Sequence, residues 1–197
     1  MITTRSSTSV IVEYNKKTYE GDIAIIGRHN ISNALAAIGA AVALGFNVDE
    51  IRAGFMTLAT TKMRFEIIDR NGIQIINDAY NASPASMRVA IHTTADIAEG
   101  RKIAVLGDML ELGAFEEKLH RSIGSELAKH KFSVLVTVGN LGKLIAEGAK
   151  DAGIKDIFVA DNHEEAAEYL RRIMVKGDTI LFKGSRAMRM EKIIELI

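Results

Sequence analysis

The sequence has 197 residues, of which 48% are hydrophobic and 25% are charged, and its formal net charge at pH 7 is zero. This length suits one large domain, or one domain with part of another. The balanced charge excludes a general nucleic-acid or membrane-surface binder, which would carry a basic excess. The absence of cysteine excludes disulfides and thiolate metal sites, and it is compatible with a reducing cytosol.

No segment of the sequence has the pattern of a membrane span or a secretory leader. The longest apolar run, residues 34–46, is too short to cross a bilayer and is broken by Gly39 and Gly45. Residues 1–14 are polar and lack the apolar core of a signal peptide. We therefore predict no membrane insertion.

The first sixty residues predict two strands followed by two helices. The strands cover residues 10–14 and 22–26, where β-branched and apolar residues recur. Asn30 or Ser32 is expected to cap the first helix, and Gly45 to end it. The second helix should begin shortly after Gly45, at an Asn or Asp cap.

The cap of this second helix is expected to be Asn47 or Asp49.

The pattern of the sequence then changes to an alternation of apolar and polar residues, which predicts a β-hairpin with strands at residues 64–69 and 73–77. Asn71-Gly72 between two β-branched runs is a strong signal for a two-residue turn.

Beyond the hairpin, short apolar strands alternate with helices. The predicted strands cover residues 102–106, 133–138, 156–159 and 179–182. The first predicted helix begins near Pro84, and the other helices cover residues 115–130, 141–149, 163–174 and 188–197. This alternation predicts an α/β fold with a doubly wound, mostly parallel, six-stranded Rossmann-like sheet. Residues 1–61 are too few for a domain of their own, so we expect them to end a preceding domain and residues 62–197 to form a complete one.

An open parallel sheet binds its ligands at the carboxyl ends of its strands, and polar residues follow the predicted strands at these ends. Five loops lie there by topology: residues 78–84, 107–113, 139–142, 160–162 and 183–186. The first precedes a helix N-terminus, which favours anions, and offers Asp78, Tyr80, Asn81 and Ser83. The alternative for this loop is a capped turn without a ligand.

Two other loops carry charge. Lys183, Ser185 and Arg186 provide two cations and a hydroxyl, suited to a carboxylate or a phosphate. The alternative is a solvated basic loop. Asp108 and Glu111 could serve in acid–base chemistry or bind Mg²⁺, although turn chemistry also explains them.

Several familiar motifs are absent from the sequence. It contains neither G-x-x-x-x-G-K-[ST] nor G-x-G-x-x-G, so neither a phosphate-binding P-loop nor a dinucleotide site is predicted. The glycine pair in residues 139–142 is a weak signal. The histidines lack metal-ligand spacing, so no metal site is assigned.

Taken in order, the motifs resemble the Mur ligase family over nearly the whole chain. Residues 27–37 resemble the end of the family's central ATPase domain. Arg64 resembles the arginine that opens the C-terminal domain, although Lys62-Met63 replaces the usual Pro-Gly before it. The chain thus looks like the tail of the ATPase domain, residues 1–61, followed by the C-terminal domain, residues 62–197.

Three motifs resemble the branch of the family that adds D-alanyl-D-alanine. They are the Tyr-Asn-Ala-Ser-Pro segment within residues 78–84, the Gly-Asp-Met-x-Glu-Leu-Gly segment with His120 after it, and Lys-Gly-Ser-Arg at residues 183–186. The resemblance implies a cytoplasmic enzyme of peptidoglycan synthesis. ATP would phosphorylate the terminal carboxylate of UDP-N-acetylmuramoyl-tripeptide, and the amine of D-alanyl-D-alanine would attack the acyl phosphate.

The resemblance also implies roles for individual residues. The expected nucleotide contacts are His29, Asn30, Asn33, Arg64 and Asp78. The expected catalytic residues, near the γ-phosphate and the dipeptide, are Lys183, Ser185 and Arg186, and the expected substrate contacts are Tyr80, Asn81 and Ser83.

The family's phosphate loop and most of its ATP and Mg²⁺ contacts precede the residues present. We therefore expect no ligase turnover from this chain alone. The predicted helix at residues 31–44 is apolar nearly all round, so self-association through residues 1–60 is expected. Two alternatives stay open: a non-catalytic nucleotide- or amino-acid-binding module, and a sibling ligase with another amino acid as acceptor.

Overall fold

The computed structural model gives the placement of most of the chain. The described residues are 2–3, 8–14, 17–23, 29–57 and 61–197. They belong to two compact units, Met1–Thr61 and Lys62–Ile197, and each unit is described by itself.

The first unit contains an antiparallel sheet and two helices. The strands are β1 (Ile2–Thr3), β2 (Thr8–Tyr14) and β3 (Lys17–Ile23), and the helices are α1 (His29–Ala43) and α2 (Val48–Met56). The sequence did not predict β1, and β3 begins earlier than predicted. The last predicted residues of that strand, 24–26, lie outside the described residues.

The ends of the two helices test the predicted caps. Helix α1 already includes Asn30 and Ser32, so the prediction that one of them caps it was wrong. Gly45 ends the helix as predicted, with a left-handed φ of 90°. Asn47 caps α2 through a reciprocal capping box with Glu50, which confirms one of the two predicted starts.

Helix α1 leaves large apolar side chains uncovered within its unit. Leu35 on the helix is 47% exposed, and Leu44 and Phe46 just after the helix are 78% and 52% exposed. Self-association stays a prediction: light scattering should give a mass that rises above the monomer with concentration. Leu35→Glu should lower that mass, and a parent chain that stays monomeric at high concentration would contradict it.

The second unit is a three-layer α/β domain. Its strands are β4 (Glu66–Arg70), β5 (Ile73–Asn77), β6 (Lys102–Gly107), β7 (Val134–Val138), β8 (Asp156–Ala160) and β9 (Thr179–Lys183). Its helices are α3 (Pro84–Ile97), α4 (Glu116–Lys129), α5 (Gly142–Asp151), α6 (His163–Ile173) and α7 (Glu191–Leu196).

The six strands have the order β4-β5-β9-β6-β7-β8, and only the β4–β5 pair is antiparallel. The predicted doubly wound, mostly parallel sheet is therefore confirmed. The connections from β5 to β8 run in one direction along the sheet, and α3, α4 and α5 pack side by side. The connection from β8 to β9 runs back, so α6 and α7 cover the other face. The loop after β9 therefore leads to the opposite face from the loops after β5 and β6 on either side of it, and such a switch point is where a doubly wound sheet binds ligands.

The centre of the sheet is buried on both faces, as a parallel sheet requires. Val105 on β6, Leu135 on β7 and Phe182 on β9 are each 0% exposed. None of the helices in the described residues is long and apolar enough to cross a membrane.

Three predicted element boundaries depend on residues with a left-handed backbone. Asn71 and Gly72 have φ values of 57° and 80°, which confirms the predicted hairpin turn. Arg64 lies in a loop before β4 and not in the predicted strand, because Met63 and Phe65 on either side of it have φ values of 59° and 53°. The final helix begins three residues later than predicted, after Arg189, whose φ is 47°.

Candidate functional site

The tips of β5, β6 and β9 meet at the carboxyl edge of the sheet. The amide of Asp78, after β5, donates to the carbonyl of Phe182 on β9, at 2.9 Å. The amide of Ser185, after β9, donates to the carbonyl of Asp108 after β6, also at 2.9 Å. This convergence, expected from the topology, is confirmed, and it forms the candidate site.

Lys183 is the buried centre of this cluster. Its side chain is 3% exposed. Its Nζ lies 2.6 Å from Oδ2 of Asp78, 2.8 Å from the carbonyl oxygen of Asn81 and 3.4 Å from the carbonyl oxygen of Asp78. These acceptors account for the three ammonium protons. Lys183 therefore holds the loop after β5 against β9, and its predicted catalytic role stays a prediction.

The Asp78 carboxylate connects that cluster to the segment before β4. Its Oδ1 accepts from the amide of Phe65 at 3.0 Å, while its Oδ2 accepts from Lys183. The amide of Tyr80 donates to the carbonyl of Met63 at 3.1 Å. These bonds stabilise the left-handed backbone around Arg64, which an isolated segment would not favour.

Arg64 and Tyr80 form an exposed pair at the mouth of the site. The guanidinium carbon of Arg64 lies 4.0 Å from the centroid of the Tyr80 ring, a cation–π contact. Tyr80 is 43% exposed. Within the described part of the chain, the Arg64 guanidinium has no hydrogen-bond acceptor, so its donors are available to an anionic ligand.

The end of the loop after β5 is a capped turn, which the sequence analysis gave as the alternative to a ligand site. Ser83 caps α3 in a capping box with Ser86: its Oγ accepts from the Ser86 amide at 3.3 Å. The Asn81 side-chain oxygen accepts from the amide of Ala82 at 2.8 Å. Asn81 and Ser83 are both exposed, and their predicted contacts with substrate stay predictions.

Ser185 and Arg186 follow β9 and differ in environment. Ser185 is 4% exposed, and its Oγ accepts from the amide of Leu110 at 2.8 Å. The Arg186 side chain is 51% exposed and donates to Oε1 of Glu191 at 2.7 Å. Glu191, at the start of α7, orients this arginine, a role that the sequence analysis did not assign to it.

Asp108 fills the glycine loop after β7 with its own carboxylate. Its Oδ1 accepts from the amides of Gly142 at 2.7 Å and Leu141 at 3.0 Å, at the N-terminus of α5. Burial raises the pKa of the Asp108 carboxyl, and the Gly142 amide opposes this rise. Gly139, with φ of 104°, leaves the room that the carboxylate occupies. The Asp108 carboxyl thus holds the two loops together, whereas Glu111 is exposed with a left-handed φ of 65°.

The comparisons with known proteins agree with this geometry. The family model "Mur ligase, glutamate ligase domain" matches residues 63–186. The chain belongs to the Mur ligase family. The resemblance found in its motifs is therefore confirmed.

Two curated relatives of this Mur ligase chain carry the same name, UDP-N-acetylmuramoyl-tripeptide–D-alanyl-D-alanine ligase. The protein of Bacillus subtilis is 43% identical over 176 residues, which are 88% of this chain and 38% of the relative. The protein of Escherichia coli K12 is 30% identical over 199 residues, covering 96% of this chain and 42% of the relative. The chain thus spans about two fifths of the length of these relatives.

Solved Mur ligases have the same fold. A crystal structure of MurF from Acinetobacter baumannii matches with a TM-score of 0.88 and 28% identity, covering 98% of this chain and 42% of that one. MurF from Thermotoga maritima, crystallised in complex with ADP, matches with a TM-score of 0.82 and 27% identity, covering 98% of this chain and 43% of that one.

The remaining nucleotide contacts implied for a Mur ligase lie in the first unit. His29 and Asn30 belong to the first turn of α1, and their side chains lie outside the described residues. Asn33 is exposed on the same helix. Their contacts with a nucleotide stay predictions.

Proposed function

We propose that this chain is the C-terminal part of a cytoplasmic, ATP-dependent ligase of peptidoglycan precursor synthesis. The ligase would join D-alanyl-D-alanine to UDP-N-acetylmuramoyl-tripeptide. The observation that carries the proposal is the 43% identity with the Bacillus subtilis ligase of that name, over 88% of this chain. The cluster of cations and amides at the switch point of the sheet supports it.

The reaction has two steps. The tripeptide carboxylate attacks the γ-phosphorus of ATP, and ADP leaves, which gives an acyl phosphate. The free amine of D-alanyl-D-alanine then attacks the acyl carbon, and the tetrahedral intermediate collapses to an amide and inorganic phosphate. Both steps require cations near the phosphate oxygens and close positioning of the amine and the acyl carbon.

Among the described residues, Arg64 is best placed to bind a phosphate or the ribose of ATP. Its guanidinium is oriented by the Tyr80 ring and has no acceptor among the described residues. Beside it, each Asp78 carboxylate oxygen accepts one hydrogen bond from the described residues and retains a lone pair that a ribose hydroxyl could use. The ADP in the Thermotoga maritima MurF crystal is compatible with a nucleotide role for this part of the family.

The side of the site that receives the dipeptide would have exposed side chains that contact the ligand and buried side chains that hold the loops in place. Tyr80, Asn81 and Arg186 are exposed and able to contact a ligand. Lys183 and Ser185 are buried and bonded to neighbouring loops, so we propose that they act by holding those loops in place. This refines the catalytic role expected for them from the resemblance.

Mg²⁺ is implied by the resemblance, and the described residues do not fit it. No three His, Asp or Glu side chains among them cluster so that they could hold a metal ion. The carboxylate of Asp108, considered for this role, is already bonded to backbone amides. We propose that the ion binds to another part of the ligase, as the resemblance implies.

The proposal can be tested with a longer ligase, which contains this sequence and has the full length of the relatives. Phosphate release should require ATP, the tripeptide precursor and D-alanyl-D-alanine together, and this chain alone should give no turnover. A panel of single amino acids and dipeptides tests the acceptor. Turnover with a single amino acid but not with D-alanyl-D-alanine would refute the proposed acceptor.

Within that ligase, Arg64→Ala should lower kcat/KM for ATP by about 100-fold, because a charged donor to phosphate is lost. Arg172→Ala is the matched control, since its side chain is 64% exposed on α6 and forms only a long ion pair with Glu168. The control should retain the kinetics of the parent. If Arg64→Ala also retained them, the phosphate role would be rejected.

A further inference from the structure

The loop after β6 is bonded at three consecutive backbone groups. The Asp108 carbonyl accepts from the Ser185 amide at 2.9 Å. The Met109 amide donates to Nε2 of His120 at 2.9 Å, and the Leu110 amide donates to the Ser185 hydroxyl at 2.8 Å. The conformation of this loop is thus set jointly by His120 on α4 and by the turn after β9.

The hydrogen bonds of His120 define its protonation. The imidazole is 0% exposed, and its Nδ1 lies 2.7 Å from the carbonyl oxygen of Glu116 one turn earlier on α4. A backbone amide can only donate, so Nε2 must carry the lone pair. A carbonyl can only accept, so Nδ1 must carry the proton. His120 is therefore a neutral imidazole in a single tautomer.

The same bonds connect His120 to the side of the site that would receive the dipeptide. Ser185 contacts the loop twice, through its amide and its hydroxyl, and Arg186 follows it directly. If Met109 lost its acceptor, a buried amide would be left without a partner, and the loop would have to shift to hydrate it. Such a shift would move the turn that carries Arg186.

We propose that His120 is a positioning residue for the acceptor: its Nε2 lone pair fixes the loop at residues 108–110 and, through Ser185, the orientation of the turn that receives D-alanyl-D-alanine. His120 does not contact the substrate. The choice of acceptor rests on the proposed function, whereas the positioning itself rests on the hydrogen bonds of this chain.

Two substitutions separate the two imidazole nitrogens. In His120→Gln, the side-chain oxygen can reach the position of Nε2 and accept from Met109. In His120→Asn, the shorter amide can replace Nδ1 and donate to Glu116, but it leaves Met109 without an acceptor. The two variants have similar polarity, and circular dichroism should show that both are folded.

In the longer ligase, His120→Asn should raise KM for D-alanyl-D-alanine by about tenfold and leave KM for ATP unchanged. His120→Gln should stay within about threefold of the parent for both substrates. Equal kinetics of the two variants would overturn the proposal. A parent ligase without activity toward D-alanyl-D-alanine would instead overturn the proposed function.

A measurement on this chain alone tests the positioning independently of the reaction. Nitrogen NMR of the imidazole should find the proton of His120 on Nδ1, and the Met109 amide should exchange slowly in the parent and in His120→Gln. In His120→Asn, that amide should exchange faster while amides at the centre of β7 stay protected. A proton found on Nε2, or unchanged exchange at Met109 in His120→Asn, would overturn the proposal.

Discussion

Lys183→Met should lower the free energy of unfolding of residues 62–197 by about 3 kcal/mol, because it leaves the Asp78 carboxylate and the Asn81 carbonyl without their common donor. Methionine has a similar length, so the effect reports the lost charge and hydrogen bonds more than lost volume. The side chain of Asp78 is 17% exposed, so water can hydrate it in part, and the low end of the range for a broken buried pair applies. Urea denaturation measures the difference.

Lys192→Met is the matched control for that variant. Lys192 is exposed on α7, and its substitution should change the free energy of unfolding by less than about 0.5 kcal/mol. The double variant Asp78→Asn with Lys183→Met should lose less stability than the sum of the single variants, because no charge is left unpaired. Parent-like stability of Lys183→Met would show that the buried ion pair does not stabilise the loop.

Gly148→Ala should lower the free energy of unfolding by about 2 kcal/mol or more, because α4 and α5 pack with their backbones in contact. A Cβ at Gly148 would overlap the carbonyl group of Arg121 on α4. Backbone cannot turn away as a flexible side chain can, so the two helices would have to separate. Overpacking of this kind costs about 1–3 kcal/mol or more, and the better helix propensity of alanine offsets only part of it.

Gly39→Ala is the same chemical change as Gly148→Ala, but we expect it not to lower the free energy of unfolding. Gly39 lies inside α1, and outside the adjacent backbone of its own helix no atom of the described residues lies within 4 Å of where its Cβ would be. Alanine there should leave the stability of its unit unchanged or raise it by up to about 1 kcal/mol. Thermal and urea denaturation of both variants would decide the matter. A stable Gly148→Ala variant would mean that the helices can separate at little cost.

The regular elements of the second unit could be predicted because their signals are local. Asn71-Gly72 specifies its turn by the backbone that these two residues tolerate, and the buried strands stand out as β-branched runs. The convergence of the loops after β5, β6 and β9 followed from the parallel topology alone. Neither inference required knowledge of a distant partner.

The segment around Arg64 shows where local signals end. Alternation of side chains predicted a strand there, yet Met63 and Phe65 have left-handed backbones. The bonds that favour this conformation come from Asp78 and Tyr80, which are more than ten residues away in sequence. Tertiary contacts thus override the pattern, and no propensity of residues 62–66 reports them.

The site charges could be located from the sequence, but their partners could not. Lys183 was expected as an available cation, and the structure instead surrounds it with acceptors from the loop 102 to 105 residues earlier. Asp108 was considered for acid–base chemistry or Mg²⁺, whereas its carboxylate lies against the amides of Leu141 and Gly142. The glycines at 139 and 142 were the available signal, because positions without a side chain leave room for a carboxylate beside the backbone amides.

The carboxylate of Asp108 has a consequence for inhibitor chemistry. A phosphate mimic aimed at the glycine loop before α5 would compete with a group tethered to the same chain, whose effective concentration is far above that of any free compound. The amides that such an inhibitor would need are therefore already occupied by Asp108. The exposed guanidinium of Arg64, stacked on Tyr80, is a better target for an anionic fragment, because no acceptor among the described residues occupies it.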